Sequence, residues 1–252
     1  EVWKTLNEEE DWTQYSPYAR FFELCETNTT IVRKCGLVDE QNLSTSEQNS
    51  ALKKYQIFVD MNGLDNNIQF FNNYRYTAFI PSNEAVEEAI ANGLPTWEQL
   101  EADYAEMEPV VNALDSIKDI MDNEDYVFVE EDSIMRDSLW NIAHTDSIKL
   151  QAKITYLTNF IRYHFADNSI FADKTAQPES EMVTSSYDKE LGLFCKLYVD
   201  RTGNNVLRVR DAQEGSQMME TIGEKNVLAR DIECSLKPVG RPMATSGKKI
   251  TL

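Results

Sequence analysis

The chain has 252 residues, of which 42% are hydrophobic, so it can bury the core of one large domain or two small ones. Its 43 acidic and 24 basic residues give a formal net charge of -19, which repels phosphate backbones and argues against nucleic acid as a partner. No stretch of sequence approaches the roughly 20 apolar residues that a membrane-spanning helix needs.

The start of the sequence shows no targeting signal. It reads Glu1-Val-Trp-Lys, without an initiator Met, a basic region or an apolar core. We therefore expect a mature or trimmed chain from which a targeting segment has been removed, with residues 1–17 as an N-terminal extension.

Residues 18–37 carry apolar side chains at spacings that favour one amphipathic helix ending near Gly36. The polar stretch at residues 39–49 then predicts a surface loop. Asn28-Thr-Thr and Asn42-Leu-Ser match the N-glycosylation pattern, but such triplets are expected by chance in a sequence rich in Asn and Thr.

A strand that leads directly into a helix is predicted next. Tyr76-Thr-Ala-Phe-Ile is a short β-branched and aromatic run that Pro81 stops, and Ser82 precedes a helical pattern with acidic residues in its first turn. Asn83 is expected to satisfy free backbone groups at this helix start.

Helices dominate the centre of the chain. Thr96 and Gln99 have capping-box spacing, and residues 102–149 are mostly helical in pattern, with an aromatic interruption at residues 125–129. Residues 150–165 form the clearest amphipathic helix, because their apolar side chains recur every three or four positions. We expect the following residues to form its buried face: Ile154, Leu157, Phe160, Ile161, His164 and Phe165.

Strands dominate the end of the chain. Residues 193–199 and 206–210 flank Asp200-Arg-Thr-Gly-Asn-Asn, which predicts a β-hairpin, and further strands are expected at residues 181–185 and 227–234. Helices come first and strands later, so the fold class is α+β.

The cysteines and histidines are too few and too scattered for a zinc-type metal site. No cofactor is expected, and a cation site made of acidic residues stays a minority alternative. The chain has two histidines, His144 and His164, and four cysteines without a Cys-x-x-Cys pair: Cys25, Cys35, Cys195 and Cys234. Buried free thiols are favoured over a Cys25–Cys35 disulfide, and the pairing of the four stays open.

Three stretches, in the same order as in the family, resemble the fasciclin domain. Thr77-Ala-Phe-Ile-Pro-Ser-Asn-Glu-Ala-Val is similar to its first motif, with Pro81 and Asn83 in the matching places. Leu157-Thr-Asn-Phe-Ile-Arg-Tyr-His-Phe resembles its Tyr-His motif, with Tyr163 and His164 in place. The strands after residue 193 then resemble the family's late strands.

The resemblance implies a single domain over residues 1–252, built as a wedge-shaped β-sandwich with several helices packed along it. Residues from about 96 to 149 form an insertion that is atypical of the family. The family's closing strand motif, Asn-Gly-x-x-His-x-Ile-Asp, has no match after Cys234. Either the sequence ends before that strand or the fold is completed differently.

The resemblance also implies a non-catalytic binding or adhesion module that recognises a protein or a glycan at the cell surface. In its acidity and its insertion the chain resembles the fasciclin-type lipoproteins of the Gram-negative outer membrane. This resemblance implies that a lipid anchor attaches it to that membrane. An accessory subunit of an outer-membrane nutrient-uptake complex is the alternative. Tyr163 and His164 are the candidate contact residues, although a structural role in the core is the favoured explanation of each.

No arrangement of nucleophile and base for catalysis can be recognised. The sequence lacks a Gly-x-Ser-x-Gly elbow and a phosphate-binding Gly-rich loop, and no cysteine is tied by spacing to a histidine. A glycoside hydrolase that uses paired carboxylates is a distant alternative, since 43 acidic residues supply many pairs by chance. We therefore expect that the chain is not an enzyme.

Overall fold

The computed structural model describes nine segments of the chain: residues 19–56, 76–167, 170, 176–202, 207–212, 215–216, 219–220, 232–235 and 247–250. It contains both helices and antiparallel strands, so the predicted α+β class is confirmed. The predicted extension at residues 1–17 lies outside the described residues, as does most of the predicted strand at residues 227–234.

Six helices lie within the described residues, four of them short and two long. They are α1 (Ala19–Cys25), α2 (Thr29–Lys34), α3 (Thr45–Leu52), α4 (Asn83–Ala91), α5 (Trp97–Met121) and α6 (Glu130–Tyr163). The two long helices, α5 and α6, occupy the stretch that the sequence marks as an insertion, and α6 then continues beyond it. The interruption at residues 125–129 separates them, as predicted.

Eight strands are described in two antiparallel sheets. They are β1 (Tyr76–Ala78), β2 (Phe165–Asp167), β3 (Gln177–Asp188), β4 (Leu193–Arg201), β5 (Leu207–Asp211), β6 (Met219–Glu220), β7 (Ile232–Ser235) and β8 (Gly247–Ile250). The larger sheet has the order β1-β2-β3-β4-β5-β6, and β7 pairs with β8. The predicted hairpin is therefore confirmed as β4–β5, whereas β8 lies where the sequence analysis placed no strand.

The chain divides into two compact units. The sheet unit comprises Glu1–Glu26, Gln56–Asn92 and Thr158–Leu252, and the helical unit comprises Thr27–Tyr55 and Gly93–Leu157. The helical unit thus combines the predicted insertion with helices α2 and α3, which precede it in the sequence. Helix α6 contributes residues to both units.

The core of the sheet unit lies on one face of the strands. Apolar side chains alternate along β4, where Leu197 and Val199 are buried and the residues between and beside them are less so. Ala166, Met182 and Leu207 join them from β2, β3 and β5. This shared cluster packs one face of strands β2 to β5 into a common core.

The helical unit is built on the capping boxes and apolar faces of its helices. The Thr96 hydroxyl accepts a hydrogen bond from the backbone N–H of Gln99, and the Gln99 side chain accepts one from the backbone N–H of Thr96, as predicted. Leu114 and Ile117 of α5 pack with Ala143 of α6 in its buried core. On α6 the predicted face is also buried at Ile154, Leu157 and Ile161, although Ile161 belongs to the sheet unit.

Two predicted segments near the start of the chain are wrong in detail. The single helix over residues 18–37 is two helices, because the Asn28 side chain caps α2 by accepting from the N–H of Ile31. The predicted loop at residues 39–49 is helical from Thr45, where α3 begins. Ser44 and Glu47 make the capping box of this helix. Gly36 does follow the helical segment, with a positive φ of 72°.

The predicted helix over residues 150–165 has different bounds. Helix α6 begins 20 residues earlier, at Glu130, and ends at Tyr163, so Phe165 belongs to strand β2. The expected strand at residues 181–185 lies within the longer β3. Among the cysteines whose side chains are described, Cys25, Cys35 and Cys195 are free, and Cys25 and Cys35 are buried.

Candidate binding surface

The two motifs that carry the resemblance lie next to each other in the sheet unit. Strand β1, from the first motif, pairs with β2, which directly follows the Tyr-His motif. The backbone N–H of Phe79 donates to the carbonyl oxygen of His164 at 2.8 Å. Two segments about 85 residues apart are therefore joined by main-chain hydrogen bonds.

Helix α1 contacts both motifs. The backbone N–H of Arg20 donates to Asn83 Oδ1 at 3.0 Å, and the ring of Phe21 lies 5.1 Å from the ring of His164. Ser82, not Asn83, caps helix α4, since its hydroxyl accepts from the N–H of Ala85. Asn83 therefore satisfies a backbone group at the start of another helix, which corrects the role predicted for it.

His164 is held as a neutral imidazole. Its Nδ1 donates to the carbonyl oxygen of Phe160 at 2.8 Å, in the last turn of α6, and its ring packs 4.7 Å from the ring of Phe160. Burial lowers its pKa to about 4, against the opposing effect of the hydrogen bond to Phe160. The imidazole thus satisfies one of the free carbonyls at a helix end.

Tyr163 is also engaged within the sheet unit. Its hydroxyl donates to the carbonyl oxygen of Lys196 on β4 at 3.2 Å. Burial raises the pKa of Tyr163, and the negative charge of Asp211 adds to this effect. The structure therefore places the two predicted contact residues at the junction of α6 with the sheet, where their polar groups bond to main-chain carbonyls.

The hairpin of β3 and β4 presents a different kind of surface at its turn end, which we call the hairpin tip: Tyr187, Leu191, Leu193 and Phe194. Leu191 is 72% exposed, Leu193 62% and Phe194 51%. The rings of Tyr187 and Phe194, which are cross-strand partners, meet edge to face at 5.1 Å. Exposed apolar side chains grouped in this way are characteristic of contact surfaces.

The hairpin tip is held in one conformation by its own turn. Asp188 Oδ1 accepts from the backbone N–H groups of Glu190 at 2.8 Å and Leu191 at 3.0 Å, and the N–H of Gly192 donates to the Asp188 carbonyl at 2.9 Å. Gly192 has φ 68°, which glycine adopts without strain. Hydrogen bonds that restrain a turn reduce the conformational entropy that it loses on binding.

Sequence reasoning did not single out the hairpin tip. Its signal is the segment Leu191-Gly-Leu-Phe, in which three large apolar residues flank a glycine beside the polar turn residues Asp188-Lys-Glu. Apolar residues in a turn are unusual because turns face solvent, and this contrast is readable without coordinates.

A shallow cleft of about 300 Å³ lies in the helical unit, between α5 and α6. Met107, Val110 and Leu150 line it, an ion pair between Lys153 and Asp103 spans it at 2.6 Å, and Lys149 pairs with Asp146 of the same helix at 2.7 Å. Four of its charged side chains thus pair with one another. No group of three or more His, Cys, Asp or Glu side chains able to hold a metal ion occurs in the part of the chain that the structure describes.

The comparisons with known proteins gave no relative. No family model matches the chain, and neither a search of curated proteins nor one of solved structures found a match. Of the helices that the structure describes, none combines the length and the apolar character needed to cross a membrane.

Proposed function

We propose that the chain is a non-catalytic, fasciclin-like binding module of the cell surface that contacts a protein partner through its hairpin tip. The observation that carries this proposal is the hairpin tip itself: Leu191, Leu193 and Phe194 stand exposed at the end of a hairpin whose turn is closed by its own hydrogen bonds. Such a projection suits insertion into a concave apolar site on another protein.

The chemistry of the hairpin tip favours a protein over a glycan. Two of its exposed side chains are leucines, which offer dispersion and burial but neither a flat ring nor a hydrogen bond. Fully burying each leucine and Phe194 is worth about 1.5–3 kcal/mol per side chain before the costs of association. The net charge of -19 favours a partner with a basic rim around its apolar site.

The fasciclin-like part of the proposal is supported by the meeting of the two motifs. Strand β1 and the end of α6 are joined through the β1–β2 pairing and the Phe79–His164 hydrogen bond. In the proposed wedge-shaped sandwich, the sheet from β1 to β6 forms one layer, and Tyr163 and His164 fix the helix to it. The module is proposed to reach the outer membrane of a Gram-negative bacterium through a lipid anchor.

A pull-down from solubilised native membranes tests the proposal. The wild-type chain is immobilised, and retained proteins are identified by mass spectrometry against a Leu191→Ser/Phe194→Ser variant. Loss of the two side chains removes most of the apolar contact, so we expect at least tenfold less of the specific partner on the variant.

A matched variant controls for the loss of exposed apolar surface in general. Val127→Ser/Phe128→Ser removes one aliphatic and one aromatic side chain that are 79% and 69% exposed in the helical unit. This variant should retain the partner as the wild type does. Equal retention by all three chains would refute the hairpin tip as the contact, and binding only to a glycan array would refute a protein partner.

The same experiment separates the accessory-subunit function from adhesion. A transporter that co-purifies in a stoichiometric amount identifies a subunit of an uptake complex. A matrix or surface protein retained without a transporter identifies an adhesion module.

A further inference from the structure

Helix α6 has a second uncharged face, opposite the one that it buries. The face consists of seven residues, all exposed, at alternating spacings of mainly four and three, which we call the outer stripe: Ile134, Ser138, Asn141, Thr145, Ile148, Ala152 and Tyr156. At 100° per residue these positions fall within about 40° of one line along the helix. None of the seven is charged, in a chain of which 27% is charged.

The outer stripe has the periodicity of a helix-to-helix seam. From Ile134 to Ala152 the spacings alternate between four and three, which are those of the contact positions of a coiled coil. Ile134 is 63% exposed, Ile148 52% and Tyr156 54%, and Ile142, 46% exposed, lies along the edge of the stripe. The hydroxyl of Thr145 donates to the carbonyl of Asn141 at 2.7 Å, so the central residue can be buried without losing a hydrogen bond.

We propose that the outer stripe pairs with the outer stripe of a second copy of this chain, in antiparallel order, with Thr145 at the two-fold axis. When the order is reversed about Thr145, five of the seven residues have their counterparts within the stripe, and Asn141 lies across from Lys149 at its edge. Antiparallel pairing about Thr145 sets Ile142 across from Ile148 and Ile134 across from Tyr156. An interface between identical subunits needs such a self-complementary patch.

Residue size and charge both select the antiparallel order. Small Ser138 then lies across from small Ala152, which lets the two helices approach closely. The first half of α6, to Thr145, carries four carboxylates and one arginine, whereas the second half carries one carboxylate and three cations. Antiparallel pairing brings the acidic half of each helix beside the basic half of the other, and parallel pairing would bring like charges together.

The dimer is independent of the proposed partner at the hairpin tip. The outer stripe lies in the helical unit and the hairpin tip in the sheet unit, so either surface can be removed without altering the other.

Cysteine cross-linking under mild oxidation tests the pairing and its direction. Two cysteines form a disulfide only when their Cα atoms lie within about 7 Å. Thr145→Cys should therefore give a disulfide-linked dimer, as should an equimolar mixture of Ser138→Cys and Ala152→Cys. Ser138→Cys alone should not cross-link, because the two copies of residue 138 would lie about 21 Å apart. The wild-type chain supplies the background from its native cysteines.

Sedimentation equilibrium of the full chain tests whether the dimer forms at all. We expect the wild type to dimerise, and Ile142→Lys/Ile148→Lys to weaken the dimer at least tenfold while its circular dichroism stays unchanged. Leu191→Lys/Leu193→Lys, which places the same charges on the hairpin tip, should leave the dimer intact. A wild type that is monomeric up to 100 micromolar, equal dissociation constants for all three chains, or cross-linking of Ser138→Cys alone would overturn the proposal.

Discussion

Asn83 stabilises a helix that is remote from it in sequence. The helix that it opens is already capped by Ser82, and its own Oδ1 accepts the N–H of Arg20 in the first turn of α1. The side chain of Arg20 also pairs with Glu87 of α4 at 2.5 Å. Asn83 therefore links α1 to α4 through a hydrogen bond. A neutral hydrogen bond of this kind contributes about 0.5–1.5 kcal/mol to the free energy of unfolding.

The Asn83→Ala variant should lower the free energy of unfolding by about 1–2 kcal/mol, because it leaves the partly buried N–H of Arg20 without its acceptor. Urea denaturation followed by circular dichroism measures the loss. Asn83→Asp keeps the Oδ acceptor and should lose less than half as much. Equal losses for the two variants would contradict a role for this hydrogen bond.

His164 makes stability depend on pH near neutrality. The unfolded imidazole takes up its proton near pH 6.5, whereas burial holds the folded pKa at about 4. The unfolded state therefore binds more protons between these values. The contribution of neutral His164 to the free energy of unfolding is therefore complete above pH 6.5 and is lost as the pH falls towards 4.

Lowering the pH from 7 to 5 should thus cost about 2 kcal/mol through His164. Urea denaturation of wild type and His164→Leu at both pH values isolates the contribution of His164 to the free energy of unfolding as the difference in pH dependence between the two chains. An NMR titration of the wild-type imidazoles gives the pKa directly, even if the variant fails to fold. An imidazole of His164 that titrates near 6.5 in the folded chain would contradict the prediction.

At the scale of elements, the features that sequence could predict are those set by local chemistry. The caps Ser82 and Thr96, and the β4–β5 hairpin, each follow from a few neighbouring residues. The break before α2 could not be predicted from periodicity, because apolar spacing continues on both sides of Asn28. Helix α3 escaped prediction because it buries only Leu52 and so has almost no apolar face.

The start of α6 at Glu130 could not be predicted for a related reason. Between Glu130 and Leu150 the helix exposes large apolar residues such as Ile134 and Ile148 opposite its buried face, and apolar residues on two faces blur the helical period. For the candidate site, the sequence indicated only Tyr163 and His164 as contact residues. Leu191 and Phe194 could not be predicted, because their exposure depends on the fold around them.

The conformation of the turn at the hairpin tip depends on Gly192. A side chain at its φ of 68° is strained, so Gly192→Ala should lower the free energy of unfolding by about 1 kcal/mol. It should also speed hydrogen exchange of the Glu190 and Leu191 amides, which Asp188 holds. Gly192→Asn, which tolerates positive φ better, should change both less. Unchanged exchange in Gly192→Ala would show that the turn does not need this conformation.

At the scale of the whole molecule, the net charge of -19 is the main long-range force. Uncompensated acidic residues repel one another in the compact state. The described ion pairs act in the opposite direction, but most of their charged groups are more than one-third exposed, and exposed pairs contribute little. Self-repulsion should therefore outweigh local attraction.

Adding salt should accordingly stabilise the chain. Raising NaCl from 0.01 M to 0.15 M shortens the screening length from about 30 Å to about 8 Å, which weakens distant repulsion more than contacts between neighbours. We expect Tm to rise by about 2–4 °C, equivalent to about 1 kcal/mol for a chain of this size. Thermal melts at pH 7.5 measure the rise. Repeating them at two protein concentrations tenfold apart separates screening from dimerisation, because only association makes Tm depend on concentration. A Tm that falls with salt at both concentrations would mean that the local ion pairs dominate.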